Sequence, residues 1–358
     1  MMDKIFEYKS DWYQYFESVL KNEYSDEERI QNQIKGNIIE SNFDSIEEFG
    51  NRYDKITIIP SKEENFFNVL IKSPNNEDYF IYADTTNHRF WILHNIESQK
   101  IIKSKIEDLF WNSYLQDRIY LTNQMLTKYW KIYSSDSMGV SIKFKQLFFD
   151  EGDPIKEKLL NYTMRLWPKQ ANSMQYFIDN INLPINFNSL NYVFEDIDKE
   201  IIIKEDFYRN GRFTINKGYD FHKHLDFIEL IRDDYNSKIE LIENYRTDWR
   251  ELKGQLYRIQ LKTAIDPQKI YKILMKNRKI FKIIIFEQVR EKDFILYNCI
   301  DEHTGGRFTL QIFMDKLFIN LNSDSCGNII LRLFSNLQTH LDPNIELEVD
   351  NENINLAN

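Results

Sequence analysis

The side chains with most scope for metal or nucleophilic chemistry are six histidines (His88, His94, His222, His224, His303, His340) and two cysteines (Cys299, Cys326). His222 and His224, in Tyr-Asp-Phe-His-Lys-His-Leu-Asp-Phe, form the one close pair. On a helix, positions i and i+2 point about 200° apart and cannot hold one ion; on a strand they are neighbours on one face. No His-x-x-x-His, His-Glu-x-x-His or Cys/His cluster accompanies them, so the pair reads as surface histidines at a helix start and no metal site is assigned. His88 and His303 each precede an Arg-Phe step, with Asp84 and Asp301 upstream, an acid/base grouping by residue type. The corresponding middle stretch has Asp206 and Asn210 but no histidine, and turn residues account for all three.

Cys326, in Asp324-Ser-Cys-Gly-Asn328, falls where a helix should begin. A helix N-terminus lowers a thiol's pKa, and His303 and His340 are the nearest bases in sequence. A small buried or capping residue is the plainer role, and no catalytic residue is nominated. The chain has no Gly-x-Gly-x-x-Gly, no Gly-x4-Gly-Lys-Ser/Thr and no Gly-x-Ser-x-Gly, and only 10 glycines, which argues against nucleotide binding of the familiar kinds and α/β-hydrolase chemistry, and no cofactor is expected. Glu195, Asp196, Asp198 and Lys204 read as a solvated strand edge.

Charge singles out one region. Within a chain of formal charge −10, residues 253–292 carry eleven Lys/Arg against three Asp/Glu, which leaves −18 for the rest. Lys269, Lys272, Lys276, Arg278 and Lys279 follow Asp266-Pro267, interleaved with Ile270, Tyr271, Ile273 and Leu274, as in an amphipathic helix with one basic face. These five are the candidate binding residues, for an acidic protein surface or a phosphate backbone.

These candidates must be carried by real cores: 42% of residues are hydrophobic and 15% aromatic. Two cysteines without a CxxC argue against a disulfide framework, and the longest greasy stretch, Ile283 to Phe286, is strand-sized. The expectation is a soluble, cytoplasmic protein without membrane contact.

Landmarks recur three times in one order. A tryptophan opens each unit (Trp12, Trp130, Trp249, spaced by 118 and 119), then a glycine at a strand (Gly36, Gly139, Gly254), then an acidic helix start at Asp44, Asp153 and Asp266. Arg89-Phe90, Arg212-Phe213 and Arg307-Phe308 follow turn residues, and second helices are expected over 98–113, 219–234 and 328–340. Closing strands are expected at 117–121, 237–241 and 343–347. The reading is α+β: three tandem modules, each roughly β-α-β-β-β-α-β, a ferredoxin-like or related two-layer sandwich. The modules are 1–125 with an N-terminal helix, 126–246 with an insertion near 167–191, and 247–358, basic in its first half.

Three modules of this size and element order resemble the outline of bacterial sliding clamps, which implies a nucleic-acid-associated factor using the basic third module. The residues themselves favour a non-enzymatic interaction protein (an adaptor, inhibitor or immunity-type partner) with a protein partner on a composite surface. An enzyme with a site near Cys326 is the further alternative.

Overall fold

The computed structural model describes residues 5–21, 33–72, 78–102, 107–110, 113–133, 138–143, 163–166, 186–195, 201–248, 250–251, 253–291, 294–349, 352–354 and 356. In chain order, α1 (Lys9–Lys21), β1 (Ile34–Ser41), α2 (Ile46–Asn51), β2 (Ile56–Pro60), β3 (Phe66–Ile71), β4 (Tyr79–Asp84) and β5 (Phe90–Asn95) lead to α3 (Gln99–Ile101), α4 (Glu107–Phe110) and β6 (Gln116–Arg118). Next come α5 (Asn123–Tyr133), β7 (Met138–Lys143), β8 (Thr163–Leu166), β9 (Asn186–Glu195), β10 (Ile201–Tyr208), β11 (Arg212–Gly218) and α6 (Phe221–Glu243). The last run is β12 (Tyr257–Gln260), α7 (Pro267–Lys276), α8 (Arg278–Phe281), β13 (Ile283–Arg290), β14 (Ile295–Asp301), β15 (Arg307–Ile312), β16 (Lys316–Leu321), α9 (Asn328–His340), β17 (Glu346–Val349) and β18 (Glu352–Asn353). The fold is α+β, with helices and two sheets of antiparallel strands. Two compact units form, Met1–Ile119 with Asn191–Asn236, and Tyr120–Leu190 with Ser237–Asn358.

In the first unit the strands run β2-β3-β4-β5-β1-β11-β10, and β6 also pairs with β1. All eight residues of β1 and all six of β5 are buried, as befits central strands covered on both faces. One face packs Ile39, Val69, Ile81, Trp91 and Leu93 against Phe49 of α2 and Phe110 of α4. On the other, the rings of Tyr82 and His94 meet Trp12 and Phe16 of α1 and Phe213 of β11. Gly36 is required in β1: a Cβ there would lie 1.9 Å from the carbonyl oxygen of Leu93 on β5.

In the second unit the order is β13-β14-β15-β16-β12-β17-β18. Here α9 is buried continuously from Asn328 to Gln338. Its polar side chains are therefore bonded: Arg332 pairs with Asp301, both wholly buried, Ser335 Oγ donates to the carbonyl of Leu121 at 2.8 Å, and Gln338 Oε1 accepts from Asn123 N at 2.8 Å. The β7–β8 hairpin pairs Val140 with Leu166.

The expected element order changes in specific places. Four strands, not three, stand between the helices in residues 34–118 and again in 257–349, and each set of four is a meander beside the first strand. This is not the ferredoxin-like order; short hairpin turns join sequence neighbours and leave no length for a crossover. In both stretches the strands lie second-third-fourth-fifth-first-last. The expected strand at 237–241 is instead helical, because α6 runs on to Glu243 with Ile239 and Ile242 buried at helical spacing. The expected helix over 98–113 is described as two short pieces, α3 and α4. Trp249, the helix start at Asp153 and residues 167–185 of the insertion lie outside the described residues, whereas 186–191 begin β9.

Candidate functional site

The expectation of two surface histidines holds for His222 and fails for His224: about 200° apart on α6, the first lies at the surface and the second in the core. His224 there meets two residues that sequence spacing did not connect to it. Its Nε2 lies 3.0 Å from Nε2 of His94 on β5, and its Nδ1 hydrogen-bonds Oε2 of Glu205 on β10. All three side chains are buried, His94 and His224 among the rings of Phe213 and Phe221. Burial holds both imidazoles below their usual pKa, with the neighbouring His224 adding to the effect on His94. Burial, with the charge of Asp206 next along the strand, holds Glu205 above the carboxylate range.

Those directions specify the protons. Two Nε2 atoms in contact cannot both donate. A neutral Glu205 donates to His224 Nδ1, His224 donates from Nε2 to His94, and His94 keeps its proton on Nδ1, which has no hydrogen-bond acceptor among the described residues. The trio is thus a neutral, proton-sharing link between β10, α6 and β5. A carboxylate behind an imidazole is also how metal-bound histidines are oriented, but no third His, Cys, Asp or Glu completes a set around these two nitrogens among the described residues.

The hairpin residues diverge. His88 is exposed and lines a cleft of about 520 Å³ with Asp44, Glu47, Glu63 and Glu64. His303 is buried, and Asp301 is occupied by Arg332 and Thr304. Cys326 lies just before α9, where its Sγ accepts from the backbone N–H of Asn328 at 3.3 Å, and a ring nitrogen of His303 is within 4.8 Å of that sulfur. Both side chains are buried, so the capping role is what the geometry supports. Cys299, wholly buried, has its thiol pushed up to about 12 by burial.

The basic residues are at the surface. Asp266 caps α7 by accepting from Gln268 N at 2.9 Å, with Pro267 in the first turn. Ile270 and Leu274 are buried, and at about 100° per residue Lys269, Lys272 and Lys276 fall within about 60° of one another on the opposite side. The helix is not continuous to Lys279: Asn277 ends it, and Arg278 and Lys279 lie on the short α8. Arg278 is paired with Glu302 at 3.0 Å. Lys269, Lys272, Lys276 and Lys279 are exposed and have no acidic partner among the described residues.

Sequence reading missed the surface that follows. The greasy stretch from Ile283 is a strand, at the edge of its sheet among the described residues, with Ile284, Phe286 and Val289 exposed. No helix among the described residues is long and apolar enough to cross a membrane.

Comparison with known proteins places these features in a family context. The profile of the MJECL33-like protein family matches residues 2–356. Protein MJECL33 of Methanocaldococcus jannaschii is 25% identical over 370 residues, covering 89% of this chain and 87% of the relative. No solved structure matches.

Proposed function

We propose that this chain, which belongs to the MJECL33-like protein family, is a non-enzymatic interaction protein (an adaptor, inhibitor or immunity-type partner) that binds an acidic partner through the basic stripe of α7 and α8. One observation carries the reading: four lysines within a segment of net charge +8 are exposed and unmatched by acidic side chains among the described residues. Charges that only served solubility would be interspersed with the opposite sign, whereas a one-sign stripe attracts anions over a screening length of about 8 Å. A net charge of −10 repels any polyanion at long range, acidic protein and nucleic acid alike, so binding rests on the local basic stripe.

The composite-surface part of the proposal takes residues 1–125, 126–246 and 247–358 as diverged copies of one module. The strand order shared by 34–118 and 257–349 supports this for the first and third. In the middle stretch the support is the Arg212-Phe213 step, which starts β11 with Phe213 in the core as Phe90 and Phe308 are in theirs.

The test is fluorescence anisotropy of labelled polyglutamate and labelled oligothymidylate against the full chain and against Lys269→Glu/Lys272→Glu/Lys276→Glu/Lys279→Glu. Salt-sensitive polyglutamate binding that disappears in the quadruple variant, with an unchanged circular dichroism spectrum, is expected. Equal binding by the variant would overturn the reading. Preference for oligothymidylate with a steep logarithmic salt slope would move the partner to nucleic acid.

A further inference from the structure

The segment that carries the lysines continues directly into an open sheet edge. After α8, Lys282 takes a left-handed conformation (φ 51°) and its N–H bonds the carbonyl of Arg278, turning the chain into β13. β13 stands first in the order of its sheet, with β14 on one side and no strand on the other among the described residues. In an antiparallel pair, alternate N–H and C=O groups face the neighbour and the rest point away, so the outer half of the β13 backbone is available for pairing.

Three of the six exposed side chains of β13 are apolar; the other three are Glu287, Gln288 and Arg290. Phe286 is 54% exposed, Val289 38% and Ile284 36%, and Ile280 on α8 is 42% exposed. Proteins usually blunt an edge with charge, proline or a bulge. A bulge does occur, between Ile285 and Glu287, but from Glu287↔Asn298 to Arg290↔Ile295 the register is unbroken, leaving a regular four-residue run at the edge. Glu287 accepts from Asn298 Nδ2 at 2.6 Å, while Lys279 precedes the strand and Arg290 ends it.

We infer that β13 takes up an extended acidic segment of a partner protein as an added strand, bonded through the main chain, with apolar side chains on Ile284, Phe286 and Val289 and carboxylates toward the flanking cations. This rests on the acidic-partner reading and deepens it: the lysines supply attraction, the strand edge supplies geometry. An edge of unpaired amides and carbonyls beside exposed aliphatic side chains matches a polypeptide backbone; a nucleic acid offers neither a main-chain ladder nor alternating aliphatic side chains.

The experiment uses the full chain and an end-blocked octapeptide of alternating Glu and Val, followed by hydrogen exchange and by titration. Binding is expected to slow exchange at alternate amides of residues 287–290 by about tenfold or more. Methylating the peptide nitrogens of either the Glu set or the Val set separates the modes without touching the protein fold. One set should weaken binding about tenfold or more while the other binds like the parent, and an alternating Lys-Val octapeptide should not bind.

If both methylated peptides bind equally, or β13 gains no protection while binding is still lost in the quadruple lysine variant, strand addition is wrong and the acidic-partner reading stands. If neither the Glu-Val peptide nor polyglutamate binds, the underlying reading has failed as well. Binding of oligothymidylate in place of the peptide, or a dimer in analytical ultracentrifugation that protects β13 without added peptide, would assign the edge to a different occupant and overturn the inference.

Discussion

His94 and His224 face each other Nε2 to Nε2 at 3.0 Å across the interior of the first unit, and Glu205 holds the far nitrogen of His224. The folded trio is neutral, whereas the unfolded chain ionises Glu205 above about pH 4.5 and protonates the histidines below about 6.5. The raised carboxyl contributes stability that is lost as pH rises above its unfolded value. The lowered imidazoles contribute stability that is lost as pH falls below theirs. Their summed contribution therefore peaks near pH 6.5 and falls by at most about 1.4 kcal/mol per pH unit on the alkaline side and, down to about pH 4.5, on the acid side, where two imidazoles outweigh one carboxyl. Urea midpoints from pH 5 to 8 should show Glu205→Gln flattening the alkaline side and His94→Gln the acid side. Profiles parallel to the wild type in both variants would show that the trio does not titrate on unfolding.

Phe308 and Phe286 belong to one sheet but differ in burial, 1% against 54% exposed. Phe308→Ala should cost about 3–5 kcal/mol and Phe286→Ala under about 1 kcal/mol in chemical denaturation. Similar losses for both would mean that β13 is covered in solution.

Asp301 and Arg332 form a wholly buried pair between β14 and α9. Asp301→Ala leaves a buried guanidinium and should cost about 3–5 kcal/mol, while Asp301→Leu with Arg332→Met should recover most of that loss. Equal destabilisation by the single and double changes would falsify the pairing account.

Gly36→Ala should destabilise by more than about 2 kcal/mol, because the added methyl meets the backbone carbonyl of Leu93 at 1.9 Å as well as the buried Phe213 ring at 2.4 Å. Gly305→Ala, where nothing lies within 4 Å of the added carbon but φ is +77°, should cost only about 1 kcal/mol of backbone strain. Thermal melts of the two variants make the comparison, and the reverse ranking would contradict the β1–β5 contact.

Periodicity and turn chemistry are local, and so were legible in the residues alone. The α9 helix at 328–340, the capped start of α7 at Asp266-Pro267 and the burial of Phe90, Phe213 and Phe308 all follow from spacing within a dozen residues. That Lys269, Lys272 and Lys276 share a side is legible for the same reason, since helical spacing decides it, whereas the exposure of that side is a tertiary result. Three-dimensional contact decided the rest. Nothing in the spacing of His94, Glu205 and His224 connects them; β5, β10 and α6 bring them together by packing, and burial then sets their protonation. Residues 237–241 have strand-like alternation, yet α6 continues through them because Ile239 and Ile242 find a core at helical period. A run such as Ile283 to Phe286 is equally compatible with a sheet's centre and its edge. Only the order of neighbouring strands, set by which hairpins stack beside β12, left β13 outermost and its apolar side chains in solvent.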